Sequence, residues 1–422
     1  MTLKTKIAII GAGPAGVAAA LKLEQMGVPS ILIDKASFPR SKVCGDAIGA
    51  RAIWALNRVD EKIIETFRQR KDIKLDCWGM KIGFSNGKTV TGSFPKPFHQ
   101  LDITRDKASA FICPRYEFDE FLFSWVRNKE HITLRENTSV KKYEYDGKCY
   151  NLFDGDGNKI LEASLLLIAD GPNSVFVRQN LKRPLTETQY MVATRGYFSK
   201  VTGFDKFNLL ELHFLREVTQ GYFWIFPSNN GHANVGLAIR ADYAKKRKIN
   251  INKLLLKIIH TNSNFSERFC ESHQLTKLKG GLLPVSDTGH SISGNNYLLL
   301  GDAARLADPF SGEGISNAIM SGVIAGEVAA ESVSSNDYSK NFLKKYDQKV
   351  FNELRTEFAS SLRLRKIMGH PEITNPLVGL VGSKRLEKII TIMYNDVNMR
   401  NKMLKPGYVT KKLLSKSFTR RS

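Results

Sequence analysis

Cysteine is scarce in this chain. The 422 residues hold five, at positions 44, 77, 113, 149 and 270, an odd number with wide spacing and no CxxC pair. That pattern excludes a disulfide framework and a cysteine-based zinc site. The eight histidines form no HExxH, so no metal is expected. Long apolar runs are missing too: none approaches the roughly 18 residues that would cross a bilayer. The opening MTLKTKIAIIGAG moves straight into a strand and a glycine turn, with no n-region, h-region and cleavage site. A cytoplasmic protein is expected, with peripheral membrane association left open. Acid is short as well, 41 Asp and Glu against 63 Lys and Arg, for a net charge of +22. The surplus gathers in AKKRK (244–248) and in the tail from Arg400, which holds eight Lys/Arg and no acid. Nucleic acid, anionic lipid headgroups, acidic substrates and a plain solvated surface all fit such a balance. Only charge speaks for nucleic acid, and none is expected as a partner.

What is present is a globular composition, 42% hydrophobic and 25% charged, on a chain long enough for two or three domains. KIAII, then GAGPAG, then an Ala- and Leu-rich stretch over 14–26, then SILIDK, spell strand, turn, helix, strand. In PRYEFDEFLFSWV, Phe118, Phe121, Leu122 and Trp125 recur at helical spacing. The turns YDGK and DGDGN separate β-rich runs that end in SLLLIADG, a small meander returning to a parallel sheet. From about 185 to 285 aromatic strands dominate, with INKLLLKIIH as a helix. YLLLGD then opens a glycine loop and a long small-residue helix.

Gly11, Gly13 and Gly16 fall between a strand and a helix, and Asp34 ends the next strand. The first glycine makes the turn, the second lets backbone approach a pyrophosphate, and the third lets helix pack on strand. The helix N-terminus, from Ala15, offers N–H groups and a positive dipole end to phosphate. Asp34, with Lys35 beside it, is positioned to accept from ribose hydroxyls. Dinucleotide binding follows. No second GxGxxG follows a strand, so NAD(P)H or another reductant is expected to bind transiently.

Downstream, LLLGDAARLADPFSGEGISNAIMSG places Asp302 after a strand and Gly312, Gly314 and Ile315 at a helix start. This resembles the FAD-containing oxidoreductases of the aromatic-hydroxylase and glutathione-reductase superfolds. The resemblance implies that Asp302 contacts the ribityl-pyrophosphate region and that the glycine loop approaches the flavin ring. It implies further FAD contacts from Asp170-Gly171 and from Arg115, which matches an arginine touching the FAD phosphates. PRSKVCGDAIG and GYFWIFP are similar to segments of geranylgeranyl reductases, with Asp46-Ala47 where that family usually carries Glu-Gly. The implied fold is α/β: a Rossmann-type FAD-binding region (1–75, 105–180 and 285–335), an inserted α+β substrate region with an antiparallel sheet (76–104 and 181–284), and a C-terminal helical region (336–422) with a basic tail.

Strand alternation puts Tyr222, Trp224 and Phe226 on one face as an aromatic wall, with Pro227 expected to end the pairing. Such a wall suits a polyprenyl chain or an aromatic ring, or is an ordinary core face. The resemblance places Cys44 and Gly45 by the flavin ring, with Cys44 as the candidate catalytic residue. A free thiol ionises near pH 8.5, and Arg40 and Lys42, if they point inward, would favour thiolate. Leu386, Ile389, Ile390, Met393 and Val397 share a helical face that suits either a membrane surface or packing on the domain. The expected activity is FAD-dependent reduction of isoprenoid carbon–carbon double bonds. The alternatives are an FAD monooxygenase acting on a lipid, quinone precursor or aromatic compound, and a non-catalytic prenyl-binding protein. No motif matches a flavin halogenase.

Overall fold

The computed structural model describes residues 3–404 apart from 95, 97, 184–185, 286–289, 371, 373, 375–382 and 396. KIAII, SILI and SLLLI are apolar without alternation, the pattern of strands covered on both faces. They lie side by side in a parallel array ordered Tyr297–Leu299, Lys159–Ile168, Leu3–Ile10, Ser30–Ile33, Ile132–Arg135. Ile7, Ala8, Ile9 and Leu165 to Ile168 are wholly buried. Lys142–Tyr145 and Tyr150–Phe153 add the expected antiparallel meander.

Helices Pro14–Gln25 and Ile315–Ser335 pack against each other beside this sheet. Small residues set their separation. A Cβ at Gly322 would sit 2.2 Å from the Ala15 carbonyl oxygen, and one at Gly326 would sit 2.8 Å from Lys22 Cβ. The helix carrying the glycine turn is thus held, backbone against backbone, by the helix that follows the late glycine loop.

The second sheet is largely antiparallel, built from strands between Tyr190 and Pro284. The hairpin Gly79–Phe84 and Thr89–Ser93 extends it through a parallel pairing to Leu210–Phe214. A small sheet of Ala47–Ile48, Ala110–Ile112 and Leu75–Cys77 bridges the two layers. Phe223 and Ile225 bury under helix Ile251–Thr261 with Leu255, Ile258 and Ile259, which leaves Tyr222, Trp224 and Phe226 on the opposite face, as alternation requires.

One expectation needs correction, and one open alternative is narrowed. Pro227 does not end the pairing: strand Gly221–Ser228 stays paired through Pro227↔Ala233 and Ser228↔His232. Strand Leu210–Phe214, on the other side, pairs only as far as Ile225, so the proline falls where one flank is already free of a partner. On helix Ser383–Asn395, Leu386 and Ile390 pack on Phe84 and Val90 of the hairpin. That part of the amphipathic face covers a sheet edge. The side chain of Val397 and the basic tail beyond residue 404 lie outside the described residues, and no described helix is long and apolar enough to cross a membrane.

Gly322→Ala forces a methyl group onto fixed backbone in the first turn of helix Pro14–Gln25. It should destabilise the protein by about 1–3 kcal/mol and lower its bound flavin, read by thermal unfolding and flavin absorbance of the purified protein. Unchanged values in both would contradict the close helix contact.

Candidate active site

The carboxyl ends of the parallel strands open into one cavity of about 630 Å³, lined there by Ile10, Ile33, Ala169 and Leu300 and walled opposite by the second sheet. In open α/β sheets this crevice is where ligands bind.

Each glycine of the turn has a distinct environment. Gly11 has φ 103°, and a Cβ on it would lie 2.4 Å from the Ala169 oxygen; one on Gly16 would lie 1.9 Å from the Gly11 oxygen. Both are packing glycines, and Gly16 does not line the cavity. Gly13 does, and a Cβ there would meet only Arg40 Nη2, at 3.4 Å, so its face is open. Helix Pro14–Gln25 starts without a side-chain cap, with Ala15 on the cavity wall. Asp34 is fixed beside it, accepting from Ala12 N at 2.8 Å and Ala36 N at 2.9 Å, with exposed Lys35 at the rim. Asp170 accepts from Val175 N at 3.0 Å through Oδ2, while its buried Oδ1 has no partner. Burial lifts this carboxyl to about 6. Gly171 follows with φ 85°.

At the other end, Gly312 has φ 68°, and Gly314 heads helix Ile315–Ser335, in whose first turn Ser316 N donates to Glu313 Oε1 at 2.8 Å. Asp302 Oδ1 would lie 3.3 Å from a Cβ on Gly314. An open glycine cradle, the uncapped N-terminus of helix Pro14–Gln25 and a carboxylate oxygen without a partner among the described residues fit a dinucleotide with a central diphosphate and hydroxyl groups. FAD would be held by these residues.

The loop carrying Cys44 crosses the middle of the cavity. A Cβ on Gly45 would sit 3.2 Å from the Phe226 ring and 3.6 Å from Trp224 Nε1, so glycine lets the loop lie on the aromatic wall. Tyr222, Trp224 and Phe226 all line the cavity, with ring centroids 6.0 and 6.3 Å apart in sequence order, whereas Pro227 does not. The Tyr222 hydroxyl donates to the Ser311 carbonyl, which ties the wall to the late glycine loop.

Asp46, buried and at φ 70°, anchors the loop. Its carboxylate accepts from the Tyr197 hydroxyl, from Asn234 Nδ2 at 2.7 Å and from Arg115 N at 3.2 Å. Asn234 Nδ2 also reaches the Cys44 carbonyl at 2.9 Å, and its Oδ1 accepts from Trp224 Nε1 at 3.0 Å. Burial raises the Asp46 carboxyl above its ordinary range, against these hydrogen bonds.

Arg40 and Lys42 do not act on Cys44. Arg40 turns to Asp119 at 3.2 Å and Asp34 at 3.8 Å, and Lys42 to Asp302 at 3.7 Å, because those carboxylates compensate the cations better than a neutral thiol would. The basic group beside Cys44 is Arg115, itself paired with Asp119 at 2.6 and 2.8 Å. Burial would lower the Arg115 pKa, but the Asp119 carboxylate outweighs it and holds it raised. An alternating series, Arg115–Asp119–Arg40–Asp34, therefore runs from the thiol to the glycine turn. Burial pushes the Cys44 thiol above its ordinary value, with Asp46 adding and Arg115 opposing. It holds its proton at neutral pH.

The sequence reading missed Tyr197, Asn234 and Arg195, polar residues inside otherwise apolar strands. Strand register, not local sequence, brings them to the site: Phe226, Asn234 and Tyr197 share one face, as do Trp224, Gly236 and Arg195.

Asp170 carries a pH signature. With a folded-state value of about 6 against 3.8 unfolded, its ionisation costs stability as pH rises from 4 to 6, and the cost is complete above 6. In flavin-free protein, Asp170→Asn should raise the melting temperature relative to the parent by an increment that grows over that window and then levels off. A pH-independent difference would contradict a carboxyl whose ionisation is opposed by burial.

A family model described as an FAD binding domain matches residues 4–350. The menaquinone reductase of Mycolicibacterium smegmatis is 29% identical over 332 residues, 76% of this chain and 75% of its own. The digeranylgeranylglycerophospholipid reductase of Thermoplasma volcanium is 28% identical over 327 residues, 75% of each. A geranylgeranyl bacteriochlorophyll reductase-like protein from Thermoplasma acidophilum superposes with a TM-score of 0.77 at 20% identity, covering 98% of this chain and all of its own. Flavin-dependent halogenases share the fold. With the cradle, the late glycine loop and the family match agreeing, the chain belongs to the FAD-binding-domain family and is an FAD-dependent oxidoreductase.

Proposed function

We propose that this enzyme reduces carbon–carbon double bonds of an isoprenoid or similarly apolar substrate. The observation that carries the reading is that the Cys44–Gly45 loop lies against the Trp224–Phe226 wall inside the cavity that also holds the dinucleotide cradle. The relatives named for reduction of a menaquinone and of a digeranylgeranyl lipid support it.

Saturating an isolated double bond takes a hydride and a proton on adjacent carbons. Reduced FAD supplies the hydride when bound. The chain supplies the rest. Met80, Leu210 and Leu212 continue the apolar lining beside the aromatic wall, a surface for a hydrocarbon chain that also excludes water. Cys44, protonated and fixed through Asp46 N, which donates to its Sγ at 3.4 Å, is the candidate proton donor or orienting group. Asp34, Asp170 and Asp302, with the glycine turns and the Arg115–Asp119–Arg40 series, are assigned to cofactor binding.

The direct test offers prenyl lipids to the chemically reduced protein without oxygen and follows return of the oxidised flavin spectrum. Reoxidation that needs the prenyl chain is expected. Reoxidation by oxygen alone, with an oxygenated product, would replace this reading with a monooxygenase. Cys44→Ala should keep its flavin and lose turnover by about 10²-fold. Because burial raises the thiol's pKa above its ordinary value, turnover should hold steady through neutral pH and fall only on the alkaline side, as thiolate forms; Cys44→Ser should abolish the alkaline fall. A decline already under way at pH 7–8 would contradict a protonated thiol.

A further inference from the structure

We propose that Arg195 and Lys279 form an anion subsite at the cavity rim that holds a phosphate or diphosphate head of the substrate, an inference that rests on the reductase reading. Arg195 is 5% exposed and lines the cavity, yet its guanidinium is almost unspent. Among the described residues Nε is buried with no partner and the single hydrogen bond is Nη2 to the Lys42 carbonyl at a long 3.4 Å, while the Tyr197 ring centroid lies 4.5 Å from the guanidinium carbon. No acid among the described residues forms an ion pair with it. Asp46 is near enough to feel its charge, but is itself occupied by Tyr197, Asn234 and Arg115. A buried cation with unused donors is costly unless something completes it.

The register supplies a second observation. Lys279, exposed and just outside the cavity lining, stands directly across from Arg195 on edge strand Lys279–Pro284, so two cations share one face of one ladder. Like charges so placed repel. A phosphate between them turns the repulsion into two charge-assisted contacts.

The rest of that tier explains the substrate's other end. Trp224 pairs with Gly236, which pairs with Arg195. A Cβ on Gly236 would come 2.3 Å from Trp224 Cζ2, so the benzo edge of the indole lies over the glycine that stands between Trp224 and Arg195 in the ladder. From Trp224 to Lys279 the tier passes from apolar to cationic, the profile of a hydrocarbon chain ending in phosphate.

The test uses the flavin-loaded protein and its Arg195→Met, Arg195→Lys and Lys279→Met variants. Binding of a prenyl diphosphate and of the matching prenyl alcohol is read from the flavin absorbance change. Arg195→Met should weaken the diphosphate by about tenfold or more and the alcohol little. Lys279→Met should do the same more mildly, and Arg195→Lys should recover part of the loss. Inorganic pyrophosphate competing with the diphosphate would indicate a soluble prenyl diphosphate; competition by phosphatidylglycerol vesicles but not by pyrophosphate would indicate a lipid headgroup. Either supports the subsite. Equal weakening of both probes, or loss of flavin on Arg195→Met, would overturn it. If charge-dependent binding holds but neither probe is reduced, the subsite stands and the reductase reading fails.

Discussion

Asp46 sits at a left-handed backbone position with its carboxylate out of water, and the part of the cavity that holds Cys44 and the aromatic wall is arranged around it. Its side chain joins strands Tyr190–Ser199 and His232–Arg240, through Tyr197 and Asn234, to the start of helix Arg115–Ser124. Its main chain joins the Cys44 thiol to Cys113. Elements from both layers meet at one side chain. Because Asn234 also binds the Cys44 carbonyl and the Trp224 indole, the thiol and the aromatic wall are held in fixed relation before any ligand arrives. Preorganisation of this kind lets a weak acid near an apolar substrate matter, since none of the binding energy goes into ordering the loop.

The cofactor end follows from backbone contacts. Gly11, Gly16 and Gly322 each stand where a side chain would strike a carbonyl group, so the parallel sheet, the first helix and the late helix are locked at a spacing that only glycine permits. Gly13 is different, open toward the cavity. The same motif thus divides its glycines between packing and ligand approach.

Much of this was legible in the sequence. The strand–turn–helix signature, Asp34, the late glycine loop and the aromatic alternation all rest on local periodicity, which survives without tertiary knowledge. What stayed hidden depends on which groups meet across the chain. Asp46 stood out only as a departure from the related families' segment, because its partners lie on strands far along the chain. Arg40 and Lys42 look like neighbours of Cys44 in sequence, but a cation turns to the nearest carboxylate, and those were not adjacent in the chain. Arg195 sits in an apolar strand whose cavity-facing side could be named only once its pairing with Gly236 and Lys279 was known.

The central claim is that this cavity adds hydrogen to a carbon–carbon double bond. It is tested most directly by anaerobic turnover of a prenyl substrate in deuterated water, with the product read by mass spectrometry. The account predicts a gain of two hydrogens for each double bond reduced, with deuterium at the carbon that receives the solvent-exchangeable proton. An unchanged substrate mass, with oxygen added to the product once air is admitted, would contradict it.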